Sequence, residues 1–291
     1  MEKQLATTQS QKMKFSVAIN SDAYKKIINQ TLQDPKKARD FVTAIISAVS
    51  VNEALQECTP ASILSAALLG ESLNLSPSPQ LGYYYLVPYN DTKKGIKLAQ
   101  FQMGYKGFVQ LAMRSGYYKT IDVIEVREGE YLGRDSKTGE YKFNFMEDDD
   151  IRESKKVVGY KASFEYLNGF TKVLYWSKEK MQKHALRYSK GYAARKGYTF
   201  WEKDFDSMAF KTMLRQLLGK WGILSIEMQE AFTKDMATIN TDGTYDYVDN
   251  DGDNSDENSS PEIIEQDEEV EKAEVVTAAE PVEEQVNLNE L

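Results

Sequence analysis

The run Val157-Val158-Gly159-Tyr160-Lys161-Ala162-Ser163-Phe164-Glu165-Tyr166-Leu167-Asn168-Gly169-Phe170-Thr171-Lys172-Val173-Leu174-Tyr175-Trp176 decides how the chain is read. Asn168-Gly169 is the dipeptide that best tolerates the positive backbone angles of a two-residue turn, and β-prone residues flank it on both sides. Residues 157–167 and 170–176 are therefore expected to pair as antiparallel strands. Upstream, Ile121, Val123, Ile124 and Val126 give another strand signal, preceded by a helix through Phe108, Leu111 and Ala112 that ends at Ser115-Gly116. Further back, residues 83–89 and 96–101 form a second expected hairpin, joined by the turn-rich, basic Asn90-Asp91-Thr92-Lys93-Lys94-Gly95.

The N-terminal side reads as helical. Asp34-Pro35 sets a capping carboxylate before a proline suited to the first helical position, and Ala38, Phe41, Val42, Ile45, Ile46 and Val49 follow at helical spacing. Thr59-Pro60 repeats the signal ahead of Ile63, Leu64, Ala67 and Leu68. Past Ser177 the pattern turns helical again, broken between Gly191 and Gly197 before a helix over about 205–220. The fold class is α+β: N-terminal helices, β-hairpins forming a small antiparallel sheet, basic helices toward the C-terminal side of the core, and a disordered acidic tail. Three segments are expected: a flexible arm over 1–19, a core over 20–239 and the tail over 240–291. No internal repeat and no alternation of strand and helix argues for a solenoid or a doubly wound sheet.

Charge is segregated along the chain. The whole carries −9, yet residues 241–291 hold eighteen acidic residues and one base, Lys272, leaving 35 basic and 27 acidic residues before them. The body is +8. Within it, residues 176–221 hold eleven Lys and Arg against four acidic residues. A single cysteine, Cys58, excludes an internal disulfide, and a single histidine, His184, removes most zinc-site and triad chemistries. No signal peptide is evident, and the longest apolar run, residues 41–51, is too short for a bilayer. A cytoplasmic protein with no membrane partner is expected.

The basic stretch is interleaved with Trp176, Tyr188, Tyr192, Tyr198, Phe200, Trp201, Phe205, Phe210 and Trp221. Single-stranded nucleic acid asks for this pairing: cations follow the phosphates, and flat rings stack bases whatever the sequence. The competing reading is a solvated helix face with its rings in the core. Lys211 and Arg215, one helical turn apart on the same side, repel each other unless an anion lies between them. A phosphate fits that place, and so would nearby carboxylates such as Asp204 or Asp206. Gly104 and Gly107 flank Tyr105-Lys106, where close backbone approach and a helix start favour an anion. No GxxxxGK[ST] occurs, so nucleotide hydrolysis and a nucleotide cofactor are not expected. The run Glu147-Asp148-Asp149-Asp150 reads as a solvated loop, since consecutive carboxylates do not converge on one ion; no metal site is expected. His184, with no second ligand or nucleophile beside it, reads as a surface or phosphate-proximal residue.

Four motifs in series resemble the RecT family of phage single-strand annealing proteins. They are Leu81-Gly82-Tyr83-Tyr84-Tyr85-Leu86-Val87-Pro88-Tyr89, Phe101-Gln102-Met103-Gly104-Tyr105-Lys106-Gly107, Leu111-Ala112-Met113-Arg114-Ser115-Gly116, and Trp201 through Leu217. The resemblance spans about residues 20–235. It implies a non-enzymatic recombinase, encoded by a phage or prophage and working in the bacterial host. Such a protein binds single-stranded DNA, assembles into homo-oligomeric rings or helical filaments, and pairs complementary strands without ATP beside a partner exonuclease. Carried over by residue, it assigns phosphate contact to Lys106, Lys211 and Arg215, with Gln102, Tyr105 and Trp201 shaping the groove; Arg187, Lys190 and Arg195 join from charge alone. Two rivals are a general single-strand protector without annealing activity and a metal-dependent nuclease. In the tail, Pro261-Glu262-Ile263-Ile264 and Glu274-Val275-Val276 scatter apolar residues among carboxylates, a composition suited to docking on the host single-strand-binding protein or the exonuclease.

Overall fold

Asp34 does what its place before Pro35 requires: its carboxylate accepts hydrogen bonds from the amides of Lys36 (2.7 Å) and Lys37 (3.2 Å). The computed structural model describes residues 14–91, 94–197, 199–239 and, for the backbone alone, 245–247. The capped helix is the third of its N-terminal group, which comprises α1 (Phe15–Ala18), α2 (Asp22–Leu32), α3 (Pro35–Val51) and, after a 3-10 turn over Glu53–Glu57, α4 (Pro60–Ser72). Thr59 caps α4 in the same way, its hydroxyl accepting from the Ser62 amide. Phe41, Ile45 and Val49 of α3 and Ile63, Leu64 and Ala67 of α4 are buried, so the helical spacing read from sequence is the buried face.

Strands β1 (Tyr84–Asp91) and β2 (Ile96–Met103) pair antiparallel from Tyr84 opposite Met103 to Asp91 opposite Ile96, and α4 packs against them. The hairpin's tip at residues 92–93 lies outside the described residues. Helix α5 (Tyr105–Arg114) leads to β3 (Tyr118–Arg127), and a small ribbon of β4 (Tyr131–Arg134) and β5 (Tyr141–Phe143) precedes the short α6 (Asp149–Ser154). The Asn168-Gly169 hairpin forms as expected, with β6 (Val157–Tyr166), β7 (Thr171–Ser177) and Gly169 at φ 84°. The sheet order is β3-β6-β7, wholly antiparallel. The two long hairpins remain in separate sheets, and a long helix packs on the second of them.

That helix belongs to the C-terminal half, made of α7 (Lys178–Tyr188), α8 (Lys190–Ala193), α9 (Phe200–Lys203), α10 (Phe205–Trp221), α11 (Ile226–Lys234), β8 (Ala237–Ile239) and β9 (Tyr245–Tyr247). Helix α10 packs on β3, β6 and β7 and also on α5, so it is apolar on most sides: Ala209, Met213, Leu214, Leu217 and Leu218 are all buried. Tyr160, Phe164, Leu174 and Trp176 face it from the sheet, which is the alternation that the strand residues encoded. Strand β8 returns to β2, where the Met236 amide donates to the Phe101 carbonyl at 3.0 Å.

Two elements lie on the far side of the expected boundaries, α1 within 1–19 and β9 within 240–291. Phe15, Ala18 and Ile19 are buried and α1 packs on α3, so the chain is folded from residue 14 and the arm expected over 1–19 stops short of it. At the other end β9, past the boundary expected at 239, pairs with β8. The rest of the tail, read as disordered, lies outside the described residues. Among the described residues no helix is long and apolar enough to cross a membrane, and no group of three or more His, Cys, Asp and Glu is placed to hold a metal ion.

Candidate nucleic-acid interface

Lys106 stands exposed on the first turn of α5, after Gly104. The two glycines around it serve a packing need. A Cβ on Gly104 or on Gly107 would come within 2.1 Å of the carbonyl oxygen of Gly82 or Tyr83 respectively, and the Gly104 amide donates to the Tyr83 carbonyl at 2.9 Å. The close approach is thus between this turn and the Gly82-Tyr83 backbone, joining the first two of the four motifs. Beside Lys106, Leu81, Tyr83 and Tyr105 line an open groove of about 410 Å³.

From Lys106 a run of neighbouring side chains leads to the start of α9. A Cβ built on Gly82 would lie 3.0 Å from the Tyr85 hydroxyl and 3.5 Å from Lys106 Cδ, so both side chains meet over this glycine. The Tyr85 ring is 6.0 Å from that of Phe200 at the start of α9, and both rings are 38% exposed. Burial, Asp204 and Tyr105 push the Tyr85 phenol above its ordinary value, leaving it a neutral ring. Thr199 caps α9 reciprocally with Glu202, whose carboxylate also accepts from the Gly197 amide, holding the turn between α8 and α9. Arg187, Lys190, Arg195 and Lys203 are exposed here, with the Arg187 guanidinium 5.3 Å from the Tyr188 ring.

Lys211 and Arg215 are placed differently. Lys211 is 7% exposed, and its ammonium lies 3.0 Å from Oδ1 of Asp235, a fully buried carboxylate just after α11. Arg215 reaches Oδ2 of the same carboxylate at 2.8 Å and the Phe232 carbonyl at 3.2 Å. The Met103 amide, at the end of β2, completes the set by donating to Oδ1 at 2.8 Å. Burial pulls the Lys211 ammonium below its ordinary value, against the opposing pull of Asp235. The anion between this pair is therefore a carboxylate of the chain itself, neither a phosphate nor Asp204 or Asp206. Asp204 instead caps α10, and Asp206 accepts from the Tyr160 hydroxyl. Gln102 is also interior, donating to Gln100 at 3.0 Å.

Of the aromatic candidates, Tyr105 is half-buried against Phe210, and Trp201 is 8% exposed, packed among His184, Tyr192 and Phe205. The core reading of Trp201 fits this placement. His184 is not a surface residue: its ring lies among Trp176, Tyr188 and Trp201, and burial first, then Arg187 and Lys180, lowers its pKa to about 4. The folded chain thus keeps this imidazole neutral down to about pH 4, whereas an unfolded chain protonates it near 6.5. Between those values the unfolded state binds more proton, so stability falls as the pH drops through the window. A His184→Phe variant is expected to lose that part of the slope in urea melts between pH 7 and pH 4; an identical slope in both proteins would contradict it.

Sequence reasoning missed Asp235, Tyr85 and the division of labour between Phe200 and Trp201. Adjacent residues on one turn point different ways, so only one of the two rings could enter the core. Asp235 left no local signal, since it lies 24 residues beyond Lys211.

Comparison with known proteins follows the same ground. Residues 39–249 match the model of the RecT family. The chain is 38% identical over 238 residues to the uncharacterized protein YqaK of Bacillus subtilis (strain 168), covering 80% of this chain and 78% of that one. It is 28% identical over 225 residues to Protein RecT of Escherichia coli (strain K12), covering 75% and 78%.

Proposed function

Because the chain belongs to the RecT family, we propose that it is an ATP-independent annealing protein that binds single-stranded DNA and pairs it with a complementary strand in recombination. The observation that carries the reading is the meeting of Lys106, Tyr85 and Phe200, exposed side chains brought together from the family-like motifs; the reading extends this contact into a strip through the exposed Arg195, Lys190 and Arg187 of the basic helices. On such a surface the cations neutralise and extend the phosphate backbone while exposed rings hold bases from one side. Base edges stay free, a second strand pairs against them, and no covalent step is needed. Lys106, Arg187, Lys190 and Arg195 take the phosphates in this reading, and Tyr85, Phe200 and Tyr188 the stacking. Lys211, Arg215, Gln102, Tyr105 and Trp201 support the groove from beneath. Homo-oligomeric rings or filaments and a partner exonuclease follow from the same family reading, and residues 14–247 are its folded unit.

The discriminating experiment follows two complementary oligonucleotides without ATP, in parallel with magnesium and with magnesium plus a chelator. Faster pairing than in buffer supports annealing; slower pairing would make the protein a protector, and chelator-sensitive loss of strands would make it a nuclease. Changing Lys106, Arg187, Lys190 and Arg195 to Ala should lower the slope of log affinity against log salt by about 0.7 for each phosphate that is no longer neutralised. Phe200→Ala or Tyr85→Ala should weaken binding by about 1–3 kcal/mol per stacked base and leave that slope alone. An unchanged slope in a folded quadruple variant overturns the strip.

A further inference from the structure

At the far end of α10 from this strip, the side chains form a surface of another kind. Tyr166 donates its hydroxyl to the Trp221 carbonyl at 2.9 Å and accepts from the Ile223 amide at 2.6 Å, fastening the end of α10 to the tip of the β6–β7 hairpin. Phe170, whose ring lies 5.8 Å from that of Tyr166, is 48% exposed, and Ile223 is 43% exposed. The half-buried Trp221, whose carbonyl Tyr166 holds, has the Lys172 ammonium 4.6 Å and the Lys220 ammonium 5.1 Å from its ring centroid. Among the described residues neither lysine has an ion pair. Two like charges over one indole, beside exposed apolar side chains, suit a ligand that is both apolar and anionic.

We infer that this patch docks the chain's own segment Pro261-Glu262-Ile263-Ile264-Glu265. The match is chemical. Two adjacent isoleucines suit Phe170, Trp221 and Ile223, and a glutamate on each side of them suits the two lysines. Elsewhere in the tail, Val275-Val276 has one flanking carboxylate, Glu274, and Val270, between Glu269 and Glu271, is a single apolar residue where the patch suits two. Thirteen residues lie between Tyr247 and Pro261, fourteen steps of chain that span at most about 50 Å. A compact body of this size has a radius of gyration of about 17 Å, so the patch lies within reach. Tethering also raises the segment to about millimolar effective concentration, enough to occupy a weak site. Helix α10 has seventeen residues, placing the patch about 25 Å from the start of the helix beside Phe200. Docked there, the segment is held away from the proposed DNA strip.

The test uses the full chain with p-benzoylphenylalanine in place of Phe170, irradiated and digested for mass spectrometry. The expected adduct joins position 170 to the peptide holding residues 261–265. It should be lost in Lys172→Glu with Lys220→Glu, lost in Ile263→Ser with Ile264→Ser, and regained when the lysine reversals are combined with Glu262→Lys and Glu265→Lys. Adducts confined to the folded core of a second copy, or to another part of the tail, overturn the assignment. So does the absence of any tail adduct while the variant keeps the wild-type melting temperature. DNA binding plays no part in this readout, so it stands or falls apart from the annealing function.

Discussion

Asp235→Ala should lower the stability of the fold by about 3–5 kcal/mol, the cost of leaving a buried charge without its partner. Three elements meet at this carboxylate: β2 through the Met103 amide, α10 through both Lys211 and Arg215, and the end of α11 that carries Asp235 itself. Arg215 can turn its guanidinium toward solvent, but Lys211 cannot, with its side chain 8% exposed. Asp235→Asn keeps an acceptor for the Met103 amide and loses the charge, so it should fall between alanine and wild type. Lys211→Met should cost less than Asp235→Ala, because Arg215 still compensates the carboxylate while the methionine fills the space. Urea or thermal melts of the three variants decide the order. If Asp235→Ala proves neutral, the buried pairing is not what holds these elements together.

The same node shows where sequence stopped being enough. The Lys211 and Arg215 spacing does demand an anion, and that demand follows from helix geometry alone. What fills it cannot be read locally, because the residue arrives from the turn between α11 and β8, and neither element carries a strong periodic signal. The hairpin at Asn168-Gly169 and the caps at Asp34 and Thr59 were legible because a few adjacent residues determine each of them. Phe15 and Ile19 went unread as core because four helical residues give no period, and their burial depends on α3 supplying the surface. Trp201 and His184 illustrate a related limit. A basic stretch rich in rings looks alike whether its rings point at bases or inward, and the sheet residue Trp176 settles His184 from outside the helix. The proposed interface therefore uses Lys106, read from the resemblance, and Arg187, Lys190 and Arg195, read from charge, which are all exposed, and it exchanges the ring.

Removing residues 248–291 should tighten binding to single-stranded DNA by roughly tenfold near 0.05 M salt, with the gain shrinking as salt rises and screening shortens the range of the tail's field. The segment holds sixteen acidic residues and Lys272, a net of −15, against 35 basic and 29 acidic residues in the remainder, a net of +6. Tethered to the body, the part of this charge that is not docked at the Trp221 patch reaches the basic strip at about millimolar effective concentration, while nonspecific binding to DNA is typically micromolar to submillimolar. Competition at that level is appreciable at low salt and small at high salt. The cut belongs after Tyr247 because β9 pairs with β8, and a cut at residue 240 would strip that strand from the edge. Releasing the tail from the Trp221 patch by Lys172→Glu with Lys220→Glu should move affinity the other way, since a freed segment competes more. Part of that fall would come from the removed positive charge itself. Repeating the reversal in the truncated chain removes the tail's share, so the difference between the two measurements reports the competition. Equal losses in both backgrounds would mean that the tail does not act on the strip, and weaker binding after truncation would place part of the DNA-binding surface beyond residue 247.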